Sequence, residues 1–86
     1  MLTDKNGEAA ASELQSWANE IAKHADEAVE VEMYFDSDSN TFVLRLVKGA
    51  RVLIFRLSES QVHSDGREAE CERTLNRKIK DLWNLI

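Results

Sequence analysis

Residues 29–57 read VEVEMYFDSDSNTFVLRLVKGARVLIFRL, and this stretch decides the fold. In three parts of it apolar residues recur at every second position, which is typical of strands with one buried face. The predicted strands are residues 29–35, 41–47 and 51–57. The polar run at residues 36–40 predicts a loop, and Gly49-Ala50 predicts a two-residue type II′ turn.

The register of the strands follows from matching their apolar faces, because a shift by one residue would turn every side chain over. Aligned in this way, Met33, Leu44 and Phe55 lie side by side at the centre of one face. The two hairpins select the same inner face, and this agreement favours a three-stranded antiparallel meander. The other inner residues are Val31, Phe35, Phe42, Leu46, Leu53 and Leu57.

The segment before the strands has helical periodicity. From about Glu8 to Ala28, apolar residues recur three and four positions apart, as on one face of an amphipathic helix. Its apolar positions are Leu14, Trp17, Ala18, Ile21, Ala22, Ala25 and Ala28. We therefore expect a helix here that packs against the sheet.

A short helix and a long helix are predicted after the strands. Residues 58–61, Ser-Glu-Ser-Gln, have the spacing of a capping box, which opens a short turn through His63. Ser64 or Asp65 then caps a last helix that runs to Ile86. The apolar positions of this helix are Cys71, Leu75, Ile79, Leu82, Trp83 and Ile86.

These elements give an α+β fold with the order α-β-β-β-(short α)-α. We expect a three-stranded antiparallel meander with both long amphipathic helices packed on one face. Residues 1–86 are expected to form one small globular domain, with residues 1–7 frayed. Both Trp17 and Trp83 lie on apolar arcs and are expected to be largely buried.

Composition and charge restrict the classes of protein. The net charge is −5, with an excess of acids in residues 1–44 and of bases in residues 45–86. The single cysteine, Cys71, excludes an internal disulfide and favours a reducing compartment. No signal-peptide pattern opens the chain, and no apolar run reaches the length of a membrane span. We expect a cytoplasmic protein that does not engage a membrane.

Residues that could support catalysis or metal binding are sparse. His24 could share a helix flank with Glu20 and Glu27, but three side chains on an exposed helix are more typical of a solvated acidic edge. Asp36-x-Asp38-x-Asn40 has the start of a calcium loop, yet lacks its later glycine and glutamate. We expect no metal and no cofactor.

Cys71 is a candidate nucleophile, because it lies near a predicted helix start and follows His63 in the sequence. A packing cysteine is the more common role for a residue at the border of an apolar arc. Glycine-rich phosphate loops and serine-hydrolase motifs are absent from the sequence. We therefore expect a protein that is not an enzyme and has no small-molecule substrate.

The second face of the sheet is the leading candidate for function. Five of its nine strand positions are apolar, which is too many for a face in contact only with water. Glu32 opposite Arg45 predicts a cross-strand ion pair. We expect a protein partner or a second copy to bind here, through Tyr34, Val43, Arg45, Val47, Val52, Ile54 and Arg56. The hypothesis is a non-catalytic interaction module, such as an adaptor, a regulator, a small inhibitor or a dimer.

Two alternatives use charge. Arg73, Arg77 and Lys80 form a ridge on the outer side of the last helix, which could bind phosphates or an acidic protein. The overall acidity opposes binding to a nucleic-acid backbone. Conversely, an acidic stripe on the first helix could imitate nucleic acid, through Glu13, Glu20 and Glu27.

Overall fold

The computed structural model describes residues 1–84, which form one sheet, two long helices and a short helix. In chain order the elements are α1 (Gly7–Ala25), β1 (Glu30–Asp36), β2 (Thr41–Lys48), β3 (Arg51–Ser58), α2 (Glu59–His63) and α3 (Glu68–Trp83). The strands form one antiparallel sheet with the order β1-β2-β3. The predicted α+β fold is confirmed.

The predicted register is confirmed in both hairpins. Met33 pairs with Leu44, and Leu44 pairs with Phe55, at the centre of the sheet. At the turn between β2 and β3, Gly49 has a φ of 60° and Ala50 has no positive φ, as a type II′ turn requires. A side chain at position 49 would be strained at this φ, so the turn depends on glycine.

Both long helices pack on the same face of the sheet, as predicted, and we call this the inner face. α1 lies against β1, while α3 contacts β2, β3 and α1. The largest fully buried side chains between these layers are Leu14, Phe42, Leu44, Leu46, Leu57, Leu75, Ile79 and Leu82. Burial of each such side chain contributes about 1.5–3 kcal/mol, which holds the helices on this face.

None of the helices in residues 1–84 combines the length and apolar character needed to cross a membrane.

α1 ends three residues before the predicted boundary. The backbone N–H of Asp26 bonds the carbonyl of Ala22 at 2.7 Å, and the Asp26 carboxylate accepts from the N–H of Ala28 at 2.9 Å. These bonds form a turn that leads into β1. Ala28 continues the apolar spacing of the helix, but the Asp26 turn ends the helix first.

The capping box is confirmed, but the predicted start of the last helix is wrong. Ser58 Oγ accepts from the N–H of Gln61 at 3.1 Å, and Gln61 Oε1 accepts from the N–H of Ser58 at 2.9 Å. α3 begins at Glu68 rather than after Ser64 or Asp65, because Gly66 turns the chain with a φ of 84°. The predicted end at Ile86 lies outside the described residues.

The two tryptophans differ in burial. Trp17 packs against the core and is half-buried, whereas Trp83 is 40% exposed. The expectation of a largely buried Trp83 is therefore wrong. Its ring lies 5.6 Å from Lys48 Nζ, and its carbonyl accepts a 2.7 Å hydrogen bond from Arg51. Trp83 thus contacts the β2–β3 hairpin at the end of α3 and does not enter the core.

Residues 1–3 contact the rest of the domain, whereas the sequence pattern predicts a frayed end over residues 1–7. The N–H of Leu2 bonds the carbonyl of Val62 at 2.9 Å, and Thr3 is 3% exposed. The amino group of Met1 pairs with Asp65 and Glu68 near the start of α3. The chain entering α1 is therefore held against α2 and α3.

Candidate interaction surfaces

The face of the sheet opposite the helices, the outer face, is uncovered in the described residues. It carries five apolar side chains, which we call the outer strip: Tyr34, Val43, Val47, Val52 and Ile54. Tyr34, Ile54 and Val52 are 53%, 60% and 40% exposed. These three are among the most exposed large apolar residues in the described chain, and they lie on one face.

Two members of the outer strip are less accessible than the sequence suggests. Val43 is only 2% exposed, although it is not part of the core cluster on the inner face. Its neighbours in the register are the long side chains of Tyr34 and Arg56, which lie on either side of it. Val47 is half-buried. A partner could therefore contact mainly Tyr34, Val52 and Ile54.

Two arginine–carboxylate pairs frame the outer strip. Arg45 bonds Glu32 at 3.2 Å, and this predicted pair is confirmed. Arg56 bonds Asp36 at 3.0 Å and the hydroxyl of Thr41 at 2.9 Å. Arg56 is the main cause that lowers the pKa of the Asp36 carboxyl, so this group is ionised at neutral pH. Arg45 and Arg56 are thus oriented by their partners across the face.

The free edge of β1 is closed by polar side chains of α1, which sequence analysis missed. Asn19 accepts from the N–H of Val31 at 3.1 Å and donates to its carbonyl at 3.2 Å. Gln15 accepts from the N–H of Met33 at 2.8 Å. Glu8 similarly accepts from the N–H of Phe35 at 3.2 Å. The sequence does place these three polar residues, at positions 8, 15 and 19, on one flank of the helix beside its apolar arc, and this arrangement is the pattern that could have predicted their role.

The basic ridge predicted on the last helix lies on the surface of α3. Arg73, Arg77 and Lys80 are exposed, and with Asn76 they line a shallow depression. Within residues 1–84 none of these three cations forms an ion pair. Their positive charge therefore faces solvent.

The acidic flank around His24 borders a groove between α1 and α3. Glu20, His24 and Glu72 line this groove, whose volume is about 500 Å³. His24 Nδ1 lies 2.8 Å from the carbonyl of Glu20 and so is engaged by its own helix. In the described part of the chain, no group of three or more metal-ligating side chains is arranged to hold an ion.

Cys71 and His63 have separate environments. Cys71 is fully buried, and its thiol donates to the carbonyl of Gln61 at 3.5 Å. Burial raises the pKa of the thiol above its ordinary value, which opposes formation of the reactive thiolate. His63 Nε2 lies 2.8 Å from the carbonyl of Lys5, and its ring contacts Phe42 edge-on. The geometry thus gives each residue a packing role.

The calcium-like sequence forms the loop of the first hairpin. The Asp36 carboxylate accepts from the N–H of Asp38 at 3.1 Å and from the hydroxyl of Ser39 at 3.0 Å. Asn40 has a φ of 54°, in the left-handed region that closes such turns. The Asp36 oxygens are therefore occupied by bonds that shape the loop.

Comparison of the chain with models of protein families, with curated proteins and with solved structures found no match.

Proposed function

We propose that this chain is a non-catalytic protein-interaction module that self-associates through the outer strip. The observation that supports this proposal is the exposure of Tyr34, Val52 and Ile54 together on a face that neither helix covers. An exposed apolar patch framed by charged groups is typical of a protein interface. The unpaired Cys71 suits a reducing compartment, so a cytoplasmic location is part of the proposal.

The size of the outer face implies a weak interface. Three strands of seven or eight residues give a face of about 15 by 25 Å, from the standard strand spacing and rise. Two such faces would bury roughly 750 Å² in total, which is below the about 1,200–2,000 Å² of stable specific interfaces and in the range of weak, transient ones. Apolar burial contributes about 25 cal/mol per Å², which must offset the entropy lost on association. We expect a reversible dimer whose population depends on concentration.

Charge complementarity favours a second copy as the occupant. The β1 side of the outer face carries Glu30 and Glu32, while β2 and β3 carry Arg45 and Arg56. A twofold axis parallel to the strands would lay β1 of one copy over β3 of the other. Arg56 of each copy would then lie opposite Tyr34 of the other, between the rows of Glu32 and Asp36, and attraction to these carboxylates would favour this orientation. Each Arg45 would lie near the axis and remain paired with Glu32 of its own copy.

The test is a double substitution in the exposed part of the outer strip. Tyr34→Glu with Ile54→Glu should abolish association and leave the monomer folded, because both side chains are exposed. Sedimentation velocity over a range of concentrations measures the effect. Val43 is unsuitable, because a charge at this buried position would destabilise the monomer itself.

A matched control adds the same two charges elsewhere. Ser12→Glu with Ser16→Glu lies on the exposed side of α1 and should leave association unchanged. Equal sedimentation of the Tyr34/Ile54 variant and the unchanged protein at every concentration would contradict the proposal. So would equal loss of association in both variants, since net charge alone would then be the cause.

A second candidate uses the basic ridge. Arg73, Arg77 and Lys80 have no ion pair within residues 1–84 and could bind the phosphates of a nucleic acid. The net charge of −5 opposes this function at long range. The acidic alternative on α1 is weakened because Glu13 already pairs with Lys5 at 2.8 Å. Binding to DNA or RNA that falls steeply with salt, and is lost in Arg77→Gln, would favour the ridge.

A further inference from the structure

The two edges of the sheet, formed by β1 and β3, differ in whether their outward backbone groups have hydrogen-bond partners. In an antiparallel sheet, backbone groups of alternate residues point away from the neighbouring strand. On β1 these residues are Val31, Met33 and Phe35, whose N–H groups all bond side chains of α1. The β1 edge is therefore closed to an added strand.

The outward residues of β3 follow from the same alternation. Lys48 and Arg51 flank the two-residue turn and form its closing hydrogen-bonded pair. The N–H and C=O groups of Val52, Ile54 and Arg56 consequently point away from β2. No backbone or side-chain group within residues 1–84 bonds them. The β3 edge is thus open over three successive outward residues.

Exposure and charge at this edge indicate what would bind it. On the outer side, Val52 and Ile54 present apolar side chains at the edge itself. On the inner side, Lys78 of α3 lies over the ring of Phe55, with Nζ 5.9 Å from the ring centre. Arg51, at the start of β3, lies on the same inner side and bonds the carbonyl of Trp83, so Arg51 and Lys78 are the two cations beside this side of the edge. Arg56 is instead directed across the outer face to Asp36.

We propose that β3 binds an extended segment of an acidic partner protein, which adds to the sheet as a fourth strand. Main-chain hydrogen bonds to Val52, Ile54 and Arg56 provide affinity, as in other cases of strand addition. The favoured segment alternates apolar and acidic residues. Its apolar side chains lie beside Val52 and Ile54, and its carboxylates lie on the inner side, toward Lys78. A second copy pairing through β3 would bring like cations together, so the charges favour an acidic partner instead.

The test uses a short synthetic peptide in which glutamate and valine alternate. Amide hydrogen exchange, followed by NMR, reports each backbone N–H of the protein separately. In the free protein the N–H groups of Val52, Ile54 and Arg56 should exchange faster than those of Leu53 and Phe55. The glutamate–valine peptide should slow the exchange of the N–H groups of Val52, Ile54 and Arg56. A control peptide in which lysine replaces each glutamate, the lysine–valine peptide, should bind at least about tenfold more weakly.

Two controls separate backbone pairing from side-chain contact. Ile54→Pro removes an outward N–H without removing a hydrogen bond to β2, and it should weaken peptide binding at least about tenfold. Ile54→Thr keeps this N–H and should keep most of the affinity for the peptide. If Ile54→Pro does not fold, the same peptide methylated on the nitrogens that face β3 gives the same test on the unchanged protein. This peptide should also bind at least about tenfold more weakly.

The outcomes distinguish this proposal from self-association through the outer strip. Tyr34→Glu lies on β1 and should leave peptide binding unchanged, even where it abolishes association. Absence of protection at Val52, Ile54 and Arg56, or equal binding of the lysine–valine peptide, would overturn the proposal. Protection that rises with protein concentration in the Tyr34→Glu variant, in the absence of peptide, would also overturn it, because a second copy would then occupy the edge and not the outer strip.

Discussion

At the scale of single residues, the surroundings of the Cys71 side chain are those of a residue that packs in the core. Its side chain is fully buried on α3, and its thiol hydrogen donates to the carbonyl of Gln61. Because burial raises the pKa of the thiol, the group is protonated at neutral pH, and the thiolate needed for nucleophilic attack is scarce. Access by reagents therefore requires opening of the helix packing.

We predict that Cys71 in the folded protein reacts slowly with a thiol-specific disulfide reagent and rapidly after unfolding in denaturant. The physical reason is the joint effect of burial and raised pKa. Absorbance of the released thiolate measures the rate, and a small model thiol provides the reference. Rapid reaction of the folded protein would mean that Cys71 is accessible and would reopen its role as a nucleophile.

Asp26 connects the end of α1 to β2 through a single carboxylate. It accepts from Lys48 Nζ at 2.5 Å and from the N–H of Ala28 at 2.9 Å. The bond from Lys48 is the main cause that lowers the pKa of Asp26 below its ordinary value. Since the pKa is lower in the folded state, this carboxylate stabilises the fold at neutral pH, and the contribution is lost as pH falls below about 4.

We predict that Asp26→Asn lowers Tm at neutral pH, and that the difference from the unchanged protein shrinks as the solution is made acidic. The cause is the protonation of Asp26 in both states at low pH. Thermal unfolding followed by circular dichroism at several pH values measures this. Glu27→Gln, at the exposed neighbouring position, is the control and should change Tm little. A difference that is constant with pH would contradict the assigned ion pair.

At the scale of elements, the closing of β1 by α1 distinguishes the two edges of the sheet. We predict that Asn19→Ala lowers the free energy of unfolding by about 1–3 kcal/mol, because both backbone groups of Val31 lose a partner. Denaturant unfolding measures the loss, and faster amide exchange at Val31 locates it. Ser16→Ala, on the exposed side of α1, is the control. Normal stability together with a protected Val31 would show that Asn19 does not close the edge.

The sheet could be predicted closely from the sequence because its signal is local and repeated. The inner-face positions within residues 31–35, 42–46 and 53–57 are all apolar, and the two turns fix the register, so the sequence alone aligns Met33, Leu44 and Phe55 correctly. The uncovered outer face followed from the same alternation and from the single apolar stripe on each long helix. In these respects local pattern and tertiary packing agree.

The remaining features depend on contacts between distant residues. The roles of Gln15 and Asn19 depend on where β1 lies beside α1, since polar residues on a helix are usually solvated. Val43 is apolar and outward, but its burial depends on the side chains beside it. Helical spacing placed Trp83 near the apolar arc, yet its contacts with Lys48 and Arg51 hold it at the surface.

At the scale of the whole molecule, the uneven charge of the chain is partly neutralised within the fold. Three ion pairs join the acidic half to the basic half, formed by Glu32 with Arg45, Asp26 with Lys48, and Asp36 with Arg56. Two of these pairs also frame the outer face. The basic ridge on α3 has no such pairing within residues 1–84, and remains a separate positive surface.

The most direct measurement of the outer strip as a self-association surface is an isotope-filtered NMR experiment on a mixture of labelled and unlabelled protein. We predict nuclear Overhauser contacts between copies from the methyl groups of Val52 and Ile54 and the ring of Tyr34. These contacts should weaken on dilution and vanish in the variant that carries Tyr34→Glu and Ile54→Glu. Absence of contacts between copies at high concentration, or contacts confined to the helices, would contradict the proposed function.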